Sequence, residues 1–87
     1  MKGSIKMLLE QKRNNINQIN NELIALLEKR FDLCKDIGKI KAQNNLPIFD
    51  ENREQIILKQ VEEQSTNYPK EVKNVFQTIM QQAKNIE

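Results

Sequence analysis

The chain of 87 residues has no histidine, no tryptophan and one cysteine, Cys34. Without an imidazole, Ser-His-Asp and Cys-His nucleophilic systems and HExxH zinc sites cannot be assembled, and a single thiol cannot form a Cys-rich metal cage. No motif for a metal or an organic cofactor occurs. A disulfide within one chain is excluded, and a lone cysteine suits a reducing cytoplasm. The opening MKGSIKMLLEQK carries Lys2, Lys6 and Glu10. These charges interrupt every apolar run, so neither a signal peptide nor a membrane span can be drawn and a cytoplasmic chain is expected. Aromatics are limited to Phe31, Phe49, Tyr68 and Phe76, and the net charge is only +2. Single-stranded nucleic acid wants stacking platforms and a dense basic stripe, and neither is present.

Glycine and proline are also scarce: Gly3, Gly38, Pro47 and Pro69 are the only ones. They leave three long segments of helical character. The first runs from about Ser4 to about Asn44, with apolar residues at Ile16, Ile19, Leu23, Leu26, Leu33, Ile37 and Ile40 in steps of three and four. Asn44 to Phe49 is a connector that Pro47 keeps from being helical. Asp50 stands where an N-cap belongs, and a second helix continues through Ile56, Ile57, Leu58 and Val61 to about Gln64. After a turn at Ser65 to Tyr68, Pro69 suits the first position of a third helix that buries Val72, Phe76, Ile79, Met80 and Ala83.

The expected fold is therefore all-α: one domain, residues 1–87, of three helices with a very long first helix. About forty helical residues span about 60 Å, whereas a globular chain of this size is roughly 30 Å across. The first helix must bury its apolar seam against another chain, most simply in an intertwined homodimer.

Several residues break the apolar pattern. Arg30 occupies the seam between Leu26 and Leu33, and a guanidinium there calls for a negative partner. Lys41 points within about 20° of the same direction, about 16 Å further along the helix. Arg13 is rotated by about 100° and lies about 25 Å back, so it suits a ligand bound by a second copy. The chain uses lysine eleven times and arginine only three, at Arg13, Arg30 and Arg53. The planar fork of arginine is suited to gripping carboxylates. The plainer alternative is pairing with the protein's own acids, for example Arg53 with Asp50. Glu87 falls on the apolar face of the third helix, four residues after Ala83. Gly38 permits close approach of another helix or leaves room beside Lys41, and Cys34 reads as a small core residue beside the seam.

Three blocks carry a resemblance: Arg13 to Arg30 (RNNINQINNELIALLEKR), Ile37 to Lys41 (IGKIK) and Pro47 to Glu54 (PIFDENRE). Their order and spacing resemble the all-helical, class II chorismate mutases. The resemblance implies a dimer of intertwined three-helix subunits that converts chorismate to prephenate in phenylalanine and tyrosine biosynthesis. It further implies that Arg30 of one subunit and Arg13 of the other grip substrate carboxylates, and that Lys41 reaches a carboxylate and the ether oxygen. Asp50, through its backbone, and Glu54 would meet the ring hydroxyl, with Arg53 in the surrounding charged shell. Ala83 and Glu87 fall at two further site positions, where some members have serine and glutamine. Glu87 can donate to the ether oxygen only when protonated. Lys41, Glu87 and Arg30 are thus the expected catalytic residues, and Arg13, Arg30, Lys41, Asp50, Arg53, Glu54 and Ala83 the substrate-binding ones. Two other readings stay open: an isochorismate-pyruvate lyase on the same scaffold, and a non-catalytic helical dimerisation module.

Overall fold

The computed structural model describes residues 2–87, except for the side chain of Lys2. It contains three α-helices, α1 (Lys2–Gln43), α2 (Glu51–Gln64) and α3 (Pro69–Ile86), and no strand among the described residues. Each boundary has a local cause. At the end of α1, Asn45 adopts a left-handed conformation with φ 57°. The Leu46 N–H then reaches back to the Lys41 carbonyl at 2.8 Å, the Schellman pattern that ends a helix. Pro47 follows and cannot restart it. Asp50 caps α2 by accepting the Arg53 N–H at 3.0 Å. Ser65 closes α2 through its N–H to Val61 O, and its hydroxyl accepts the Tyr68 N–H at 3.3 Å before Pro69 opens α3.

Internal contacts divide the chain into two compact units, residues 1–30 and 31–87, and the division falls inside α1. The first unit is a helical segment with no buried residue among those described. Its apolar stripe is open to solvent, with Ile16, Ile19 and Leu23 each at least half exposed.

Among the described residues, the buried hydrophobic ones, Cys34, Leu58, Met80 and Ala83, all lie in the second unit. α2 packs along α3. Ile57 and Val61 of α2 and Val72, Phe76 and Ile79 of α3 are half-buried around Leu58 and Met80. The Glu62–Lys73 ion pair at 3.2 Å links the two helices but is solvated on both sides, so it adds little. Within residues 31–43, the protected face is Phe31, Cys34, Gly38 and Lys41, whereas Leu33, Ile37 and Ile40 are exposed. This end of α1 therefore presents two faces, one to its own unit and one unpartnered in the single chain.

Candidate active site

The site begins at the last turn of α1. The Schellman turn folds the connector back so that the Ile48 carbonyl accepts a hydrogen bond from Lys41 Nζ at 2.7 Å. The same ammonium meets Glu87 Oε1 at 3.2 Å, with only 19% of the Lys41 side chain and 10% of the Glu87 side chain exposed. Helical geometry persists to Glu87, whose N–H donates to the Ala83 carbonyl at 3.0 Å. The carboxylate thus arrives from a fixed backbone.

Gly38 explains how Glu87 gets so close. A Cβ built on Gly38 would lie 2.7 Å from the Glu87 carbonyl oxygen and 2.9 Å from its Cα. Only a residue without a side chain fits that approach. Both expectations for Gly38, close approach and room beside Lys41, describe this one contact.

A cavity of about 350 Å³ opens beside Lys41, lined by Lys41, Leu46, Pro47, Phe49, Asp50, Glu51 and Asn52. That volume suits a small ligand. The Asp50 carboxylate is committed to capping Arg53 N, and its carbonyl accepts the Glu54 N–H at 3.1 Å. The Asp50–Arg53 contact is therefore a helix cap, not an ion pair between side chains, and the Arg53 side chain is exposed.

Glu54, one turn into α2, meets Lys84 Nζ of α3 at 3.0 Å through Oε2. That oxygen is buried and has no donor in hydrogen-bonding geometry, so the contact is an ion pair rather than a directed hydrogen bond. Lys84 also stands over the Phe49 ring, 4.2 Å from its centroid. Ala83 is buried in the core. The structure thus places Lys41 and Asp50 on the cavity wall within the second unit, holds Glu87 against Lys41, and joins Glu54 to Lys84. Arg13 and Arg30 belong to the first unit, where Arg13 is exposed and Arg30 is half-buried.

The sequence reading missed three participants: the Ile48 carbonyl, the Phe49 ring and Lys84. The carbonyl leaves no trace in a residue pattern. Lys84 did leave one, because it stands three residues before Glu87 and so projects near it from the last turn of α3. Among the described residues, no group of three or more His, Cys, Asp or Glu is placed to hold a metal ion, and no helix is long and apolar enough to cross a membrane.

Comparison with known proteins bears on this arrangement. Residues 12–87 match the family model described as chorismate mutase type II. A chorismate mutase from Methanocaldococcus jannaschii is 39% identical over 49 residues, covering 56% of this chain and 50% of that protein. A bifunctional chorismate mutase/prephenate dehydratase from Aquifex aeolicus is 40% identical over 53 residues, covering 61% of this chain and 15% of that protein. The chain thus spans half or less of the length of these curated relatives. Among solved structures, a conserved hypothetical protein from Pyrococcus furiosus superposes with a TM-score of 0.78 at 35% identity, covering 90% of this chain and 92% of that one.

Proposed function

This chain belongs to the chorismate mutase type II family, and on that premise we propose that residues 1–87 act as a single domain that rearranges chorismate to prephenate, as a cytoplasmic homodimer. The reaction is unimolecular. The ether C–O bond breaks as a new C–C bond forms, with no covalent enzyme intermediate. The protein need only hold the compact conformer and stabilise the negative charge that grows on the ether oxygen. A chain without histidine can supply both.

The observation that carries this reading is Lys41. Its ammonium is fixed by the Ile48 carbonyl and Glu87, at the edge of a cavity that also presents Asp50. In the proposed complex, Lys41 donates to the ether oxygen and to a carboxylate. Glu87 holds Lys41 in place. With the Asp50 side chain and carbonyl both engaged, its N–H is the group left to meet the ring hydroxyl, and Glu54 is a second contact there. Arg30 from the same subunit and Arg13 from the second copy grip the substrate's carboxylates, with Arg53 adding positive potential outside. Ala83, buried in the core, supplies no hydroxyl to the substrate. The exposed stripe of α1 supports the dimer that this arrangement requires.

The test is to supply chorismate and isochorismate in separate assays and follow each by absorbance. Loss of chorismate with formation of prephenate is expected. Pyruvate release from isochorismate alone would make the protein a lyase instead. No turnover of either, with no binding of a bicyclic dicarboxylate that mimics the transition state, would leave a helical dimerisation module.

A further inference from the structure

Lys84 has no part in the chemistry just described, and it does not line the cavity. It nevertheless touches two things that shape the site. Phe49 lies in the connector between α1 and α2, forms part of the cavity wall and is 52% exposed. A half-solvated ring on a connector needs a partner to hold it in one rotamer, because ordering a side chain costs entropy. The Lys84 ammonium, 4.2 Å from the ring centroid, is within the range at which a cation is drawn to an aromatic face.

The same ammonium lies 3.0 Å from Glu54 Oε2, an atom sealed from water with no hydrogen-bond donor. Without Lys84 that oxygen would be a buried charge with no counter-ion, and the side chain would have to move to reach water. Glu54 is tied to Asp50, the N-cap of α2, because its N–H donates to the Asp50 carbonyl at 3.1 Å. One ammonium from the last turn of α3 thus ties down the connector and the first turn of α2, and Phe49 and Asp50 sit side by side on the wall it braces.

We propose that Lys84 is a positioning residue that fixes the Phe49–Asp50 wall and sets Glu54 with Oε2 turned inward, leaving Oε1 to meet the ligand. Its kinetic consequence rests on the function proposed above. Its structural consequence does not. A wall that is set equally for ground state and transition state alters KM more than kcat.

The experiment compares the full chain with its Lys84→Met and Lys84→Arg variants. In the ligand-free wild type, the Lys84 Hε protons should be shifted upfield by the Phe49 ring current, and Phe49→Leu should abolish that shift. With chorismate, Lys84→Met should raise KM about tenfold while kcat changes by less than about twofold, and Lys84→Arg should recover KM to within about threefold. Unshifted Lys84 protons, an unchanged KM in Lys84→Met, or failure of Lys84→Arg to recover would each overturn the proposal. Should the wild type leave chorismate untouched, the functional reading fails, and the ring-current shift and its loss in Phe49→Leu still decide whether Lys84 holds this wall.

Discussion

The two units, divided after Arg30, are both helical among the described residues, yet they reach order differently. The second unit has its own small core around Cys34, Leu58, Met80 and Ala83, with Lys41 and Glu87 paired beside it. The first has an apolar stripe of the same character and nothing in its own unit to bury it against. Helical periodicity therefore marks where burial is required without saying which chain provides it. An isolated helix of this kind gains too little from backbone hydrogen bonds alone to be secure in water. In the proposed dimer, a second copy of the chain covers this stripe.

The largest effect is expected from placing a charge on that stripe. Leu23→Glu should abolish self-association in sedimentation and remove all measurable turnover. Amide exchange in residues 5–30 should accelerate by about a hundredfold or more, because the segment would then be ordered by helix propensity alone. Equal acceleration in α2 and α3 would show that the two units are not separately stabilised.

Next comes Lys41→Met, which keeps the stem and removes the donor. It should lower kcat by about 10²–10³, the range seen when one donor to a developing anion is lost, without changing self-association. The two glycines test the contrast at the level of one methyl group. Gly38→Ala forces the Glu87 backbone away and should lower kcat/KM by roughly tenfold. Gly3→Ala meets open space, so activity should be unchanged and stability should shift by no more than about 0.5–1 kcal/mol. The cap is a test of stability. Asp50→Ala should cost about 1 kcal/mol, a fall in Tm of about 4–8 °C at fixed protein concentration.

Much of this fold was legible in the sequence, because its punctuation is sparse and unambiguous. Pro47, Asp50, Pro69 and the period of the apolar residues place the three helices to within a residue or two of α1, α2 and α3. The third helix buries or half-buries the five residues expected of it. Cys34 and Gly38 also fell where packing put them. What could not be read is pairing across elements. Periodicity fixes which face a side chain occupies, but not which residue of another helix meets it. The Lys41–Glu87 contact joins residues 46 positions apart, and the Lys84 contacts depend on how α2 and α3 register. The role of the Ile48 carbonyl depends on the left-handed turn at Asn45, a backbone detail with no side-chain signature.

In the proposed dimer, cations from two copies of the chain converge on one doubly negative substrate. Mixing Arg13→Ala with Arg30→Ala under conditions of subunit exchange tests it directly. Each variant alone should be inactive. A random mixture should recover about a quarter of wild-type turnover, since half the dimers are mixed and each of these has one intact site of two. A mixture that stays inactive while sedimentation shows mixed dimers would contradict the shared site.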